Sequence, residues 1–132
     1  LSYKGSNQSF HQMIEVDFSV HNAAAADVIQ LFAVPARTLV QGCRMEIVTA
    51  GTASGTGALG DGSGTSSWDA AQALDAAAAT VTYSIPGTDA YCISGYGKLY
   101  TAVDTIDLLI AGATMITGKI RVYVYGVYMA SA

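Results

Sequence analysis

The stretch that decides the fold runs from Asp27 to Gly51, DVIQLFAVPARTLVQGCRMEIVTAG, two apolar runs joined at Pro35-Ala36-Arg37. In Leu39 to Thr49 the side chains alternate, with Leu39, Cys43, Met45 and Ile47 on one face and Arg44 and Glu46 on the other. This is the period-2 pattern of a strand buried on one side. Arg44 and Glu46 are neighbours of opposite charge on the wet face and read as a solvated pair. Asp27 to Val34 is apolar on both faces, Val28, Phe32 and Val34 against Ile29, Leu31 and Ala33, which predicts a strand covered on both sides. Pro35 has no amide hydrogen to give a ladder and ends that strand.

The same pattern recurs on either side. Leu1 to Gln12 is polar and aperiodic and reads as an N-terminal arm, followed by a single β-domain over residues 13–132. Ile14, Val16, Phe18 and Val20 alternate with Glu15, Asp17 and Ser19 in a half-buried strand. After Gly51 comes TASGTGALGDGSGTSSW, whose glycines predict turns and a surface loop. Trp68 to Thr80 has helix-forming composition but only Leu74 to bury between Trp68 and Val81, so it reads as a short helix or an extended crossing loop. Short strands are then expected at Val81 to Ile85, Ala90 to Ser94, Gly97 to Thr101 and Thr105 to Ala111, with a longer one from Gly118 to Met129. About eight or nine short strands with at most one short helix predict an all-β antiparallel sandwich of jelly-roll type.

The closing strand carries the clearest sign of a contact surface. Ile120, Val122 and Val124 suit a core, whereas the other face begins with Lys119 and Arg121 and becomes Tyr123, Tyr125, Val127 and Met129. An outer face rich in tyrosine is covered either by another layer of its own chain or by another subunit. Tyr123, Tyr125, Val127 and Met129, with Tyr3 and Phe10 of the arm, are the interface candidates.

Composition narrows the function. The 132 residues are 52% hydrophobic and 12% charged, a balance that points to apolar surface ending in subunit contacts. Net charge is −4, and the six basic residues form no stripe, so nucleic acid is not an expected partner. No run of about 20 apolar residues predicts a membrane helix, and no charged n-region followed by an apolar run opens the chain as a secretory signal would. Cys43 and Cys92 fall in apolar runs and read as small hydrophobes more readily than as a disulfide.

No catalytic motif emerges. There is no GxSxG, HExxH or CxxC, and the only glutamates, Glu15 and Glu46, lie on polar strand faces. His11 and His21 bracket one strand, about 30 Å apart if it is extended, too far to share a metal. Gly55-Thr56-Gly57-Ala58-Leu59-Gly60 has the GxGxxG spacing, but turn residues follow where a dinucleotide site needs a helix. Asp61, Ser63, Thr65 and Ser67 are spaced as in a calcium loop, without the glycine and the terminal glutamate that such a loop requires. The chain therefore reads as a non-enzyme with no cofactor and no metal.

Two passages carry a resemblance. Asp27-Val28-Ile29, Leu31, Val34-Pro35-Ala36, Thr38 and Val40 precede the Gly60-Asp61-Gly62 turn, and Gly97-Lys98, Tyr100-Thr101 and Asp104-Thr105-Ile106-Asp107-Leu108 precede the β-rich end. Over most of residues 27–127 the pattern resembles small structural virion proteins of tailed bacteriophages. That resemblance implies a head decoration, or cement, protein: a homotrimer assembled in the host cytoplasm, sitting on the outer surface of the capsid and bracing joints between subunits of the major capsid protein. The alternative from another class is a tail or adsorption module that binds host-surface carbohydrate through Trp68 beside Asp69, with Tyr91 and Tyr96.

Overall fold

The computed structural model describes residues 8–129. Nine strands appear in them: β1 (Gln8–Asp17), β2 (Val28–Val34), β3 (Thr38–Thr49), β4 (Thr56–Asp61), β5 (Gly64–Ala73), β6 (Val81–Tyr83), β7 (Lys98–Tyr100), β8 (Asp104–Ala111) and β9 (Lys119–Tyr128). One sheet has the order β1-β9-β3-β6, with β7 also paired to β3, and the other has the order β2-β8-β4-β5. Every pairing is antiparallel.

The pairs are nested. β4 and β5 form the tip of a long hairpin, and β3 with β6 and β7, β2 with β8, and β1 with β9 are its successive rungs. Rolling this ribbon sends alternate rungs to alternate sheets, which is the jelly roll. Between the sheets lie Phe18, Val40, Met45, Leu59, Trp68, Leu74, Ile106, Leu108, Ile110, Met115, Ile120 and Val122, all fully buried.

The all-β sandwich expected from the sequence is what forms, and its departures in detail have physical causes. β3 slips register between Val40 and Gly42, so the extra residue, Gln41, reverses the alternation. Val40 then points into the core and Leu39, expected inside, lies opposite Val127 on the outer face. β2 slips between Gln30 and Phe32 and is an edge strand, with Val28 52% exposed rather than covered on both sides.

The strand expected from Met13 to Val20 instead occupies Gln8–Asp17, so it includes the end of the stretch read as an arm. It stops where the Asp17 carboxylate accepts hydrogen bonds from the Ser19 amide at 3.0 Å and the Ser19 hydroxyl at 2.6 Å, a side-chain turn that competes with the ladder.

Three further expectations are corrected. The glycine-rich stretch after Gly51 contains β4, buried along almost its whole length, and Trp68 belongs to β5, so no α-helix forms between Trp68 and Thr80. Gly60 explains why glycine serves as a strand residue here: a β-carbon would collide with the backbone of Gly64 and Thr65 across the tight hairpin. Residues Ala90–Cys92, expected to be extended, form a single 3-10 turn. Cys43 and Cys92 are both buried free thiols, and burial pushes both thiol pKa values up.

Candidate functional site

Two groups of polar side chains stand out, one inside the molecule and one on its surface. The inner group centres on Asp61, fully buried at the end of β4. Its Oδ1 accepts hydrogen bonds from the amides of Ser63 (2.9 Å) and Gly64 (3.0 Å) and from the Tyr91 hydroxyl (2.7 Å). Its Oδ2 accepts from Lys98 Nζ and the Tyr100 hydroxyl, both at 2.7 Å. Tyr100 in turn accepts the indole N–H of Trp68 at 3.0 Å. Burial pushes the Asp61 carboxyl up, but Lys98 and the hydroxyls of Tyr100 and Tyr91 outweigh it and hold its pKa at about 2.

This arrangement ties three parts of the chain together: the β4–β5 hairpin, the 3-10 turn and β7. It also occupies the hairpin that has calcium-loop spacing. An ammonium already sits on Asp61 and both of its oxygens are filled by donors, so this carboxylate is not open to a cation. Among the described residues no group of three or more His, Cys, Asp or Glu side chains converges. No helix in them is long and apolar enough to cross a membrane.

The surface group is the outer face of the first sheet, where β9 lies between β1 and β3. The register sets its side chains in rows. Met13, Tyr123, Arg44 and Tyr83 form one row across β1, β9, β3 and β6, and His11 and Tyr125 lie beside it with Gly42. Val127, Leu39 and Leu99 form an apolar row towards one end. Glu15, Arg121, Glu46 and Val81 form the next row towards the other end.

The two ends differ in character. At the polar end Arg121 reaches Glu15 at 3.1 Å and Glu46 at 3.9 Å, while Lys119 reaches Glu15 at 3.6 Å and Asp17 at 3.8 Å. Exposed pairs of this kind contribute little stability, but they leave the polar end with its charges answered. The aromatic part is a packed layer. His11 stacks on Tyr123 with ring centroids 5.7 Å apart, and the Arg44 guanidinium lies 5.1 Å from the centre of the Tyr125 ring. Tyr125 itself lies across Gly42, where any β-carbon would meet its ring.

Met13, Val81 and Tyr83 remain about half exposed, at 52%, 52% and 54%. The second sheet packs on the opposite side, and among the described residues no other layer of the chain covers this face. Exposed apolar surface in one plane, centred on tyrosine, is the composition of a contact surface.

Of the interface candidates from the sequence, Tyr123, Tyr125 and Val127 are brought together here. Met129 lies beyond the end of β9, where its amide donates to the Arg37 carbonyl at 2.8 Å. Phe10 is not on this face: it packs against the core and stacks on Tyr128 at 4.6 Å. Tyr3 lies outside the described residues. Met13, Arg44, Val81, Tyr83 and Leu99 complete the face and carry no contact signal in the sequence. Each is unremarkable in its own strand, and only cross-strand register gathers them. Of the aromatics considered for carbohydrate, Trp68 is fully buried, Tyr91 is partly buried and packs edge-on against it at 5.2 Å, and Tyr96 is exposed.

No protein-family model matches the chain, and no curated protein matches its sequence. Solved structures do share its fold. A chain of the acid-stable capsid of Helicobacter pylori bacteriophage KHP30 superposes with TM-score 0.64 at 16% identity, covering 96% of this chain and 95% of that one. A chain of the capsid of Ralstonia phage GP4 gives TM-score 0.64 at 14% identity, covering 97% and 87%. A chain of the capsid asymmetric unit of cyanophage Pam1 gives 0.62 at 17%, covering 98% and 93%. In each case the likeness extends over nearly the whole of both chains.

Proposed function

We propose that this chain is a non-enzymatic structural protein of a bacteriophage virion, and specifically a capsid decoration protein. On this reading it assembles as a homotrimer, sits on the outer surface of the capsid and braces joints between major capsid subunits. One observation carries the proposal: the whole jelly roll, rather than a fragment of a larger fold, matches chains found in three phage capsids. The uncovered tyrosine face supports it from the physical side, since a rigid aromatic surface can bind without a deep pocket. Each contact can be modest, because repetition over a lattice multiplies it. The carbohydrate-binding alternative loses its leading residue with Trp68 in the core.

The test is the mass in solution of the purified chain at micromolar concentration, followed by sedimentation with undecorated capsid shells. The expected result is a species of three times the 13.6 kDa chain mass that pellets with shells. A monomer that stays in the supernatant with shells, or one that binds isolated glycans instead, would contradict the proposal.

A further inference from the structure

The charges of the described residues are almost all answered within the chain. Glu15, Asp17 and Glu46 pair with Lys119 and Arg121, Asp61 pairs with Lys98, and Asp27, Asp69, Asp89, Asp104 and Asp107 accept hydrogen bonds from nearby donors. Among the described carboxylates Asp75 alone has neither kind of partner, and it is exposed. Arg44 is its counterpart. It is exposed and lies over the Tyr125 ring, with no carboxylate within 4 Å of it. A guanidinium lying over a ring still has N–H donors to offer a carboxylate.

The two residues lie in different places. Arg44 stands in the middle of the outer face of the first sheet. Asp75 lies on the connection from β5 to β6, where the Leu74 amide donates to the Gly55 carbonyl at 2.9 Å and the Gly51 amide to the Leu74 carbonyl at 3.0 Å. Ala77, Ala78 and Ala79, which follow, are exposed and carry only methyl groups. An exposed carboxylate followed by alanines meets little hindrance from its own connection when it approaches a flat aromatic surface.

We propose that the tyrosine face of one copy receives the Asp75 connection of a second copy, with Asp75 paired to Arg44 and the surrounding tyrosines excluding water. The two halves of the contact are different surfaces of the same chain, so the interface is head-to-tail, the kind of contact that a cyclic trimer is built from. Burial among Met13, Tyr83 and Tyr123 strengthens the ion pair relative to one in water. The inference rests on the self-association proposed above and names its surfaces.

A charge-swap series measured by mass against concentration tests it. Arg44→Asp and Asp75→Arg, both exposed sites, are each expected to raise the concentration for half-association about tenfold or more, with unfolding midpoints unchanged. The double variant is expected to return to within about threefold of the parent. If the parent chain associates but either single variant associates equally well, or the double variant stays dissociated, the Arg44–Asp75 contact is overturned while self-association stands. A face that loses shell binding in Arg44→Asp with trimer mass intact is occupied by a capsid subunit instead of a second copy, which also overturns it. A parent chain that is monomeric in solution and on shells overturns the self-association itself.

Discussion

Asp61→Ala is expected to lower the stability of the fold by about 3 to 5 kcal/mol, the cost of removing one partner from a buried ion pair. Tyr91, Tyr100, the amides of Ser63 and Gly64, and Lys98 all donate to this carboxylate. Lys98, at 27% side-chain exposure, can turn to water, but the Tyr100 hydroxyl is held in the core beside Trp68. Against a typical domain stability of about 5 to 15 kcal/mol, this is a large fraction. Urea unfolding followed by circular dichroism measures it, and a loss below about 1 kcal/mol, the value of one ordinary hydrogen bond, would contradict the assigned role.

The same carboxylate sets the acid limit. Its folded pKa of about 2 lies below the unfolded value of roughly 4, so its contribution is complete above about pH 4 and is lost as pH falls towards 2. The loss is on the order of 2 kcal/mol. Asp69 works in the opposite sense. Burial raises its pKa, so the folded state takes up its proton first and gains stability as pH falls towards the unfolded value. The stability profile is therefore expected to hold or rise slightly down to about pH 4 and then fall. Asp61→Asn should remove most of the acid limb while leaving the part above it.

Trp68→Ala is expected to cost about 3 to 5 kcal/mol as a large-to-small core change. Trp68 is fully buried, packs edge-on against Tyr91 and donates to the Tyr100 hydroxyl. The variant leaves a cavity and removes that donor. Trp68→Phe keeps most of the packing but loses the N–H and part of the ring volume, for about 1 to 3 kcal/mol. Because Trp68 and Asp61 both act on Tyr100, Trp68→Ala combined with Asp61→Ala should cost less than the sum of the two. Strict additivity would mean that the network does not act as a unit.

Much of the fold was legible because strand alternation is a local signal. Thr105 to Ala111 and the closing strand lie almost where their periodicity puts them, and the count of short strands led to the sandwich. The failures share one cause, the dependence of local pattern on distant partners. A bulge at Gln41 inverts the face of Leu39, and nothing within β3 announces it. β4 is a strand made of glycine and alanine as much as of strand formers, and only the close approach of the hairpin backbone at Gly60 gives a reason for them.

The contact face was half legible. Tyr123, Tyr125 and Val127 follow each other at period 2 within β9, so one strand was enough to find them. Met13, Arg44, Tyr83 and Leu99 come from four other strands, and register across the sheet had to be known before they could join. The Asp61 network was hidden for the same reason: Asp61 lies in a turn-like Gly-Asp-Gly, and its partners Tyr91, Lys98 and Tyr100 lie far along the chain.

The most direct test of the proposed role is a difference reconstruction, by electron cryo-microscopy, of capsid shells with and without the added chain. The expected result is added density of jelly-roll size on the outer surface, placed over joints between major capsid subunits. Density confined to the continuous shell layer, to a tail vertex, or absent at saturating protein would contradict a decoration role.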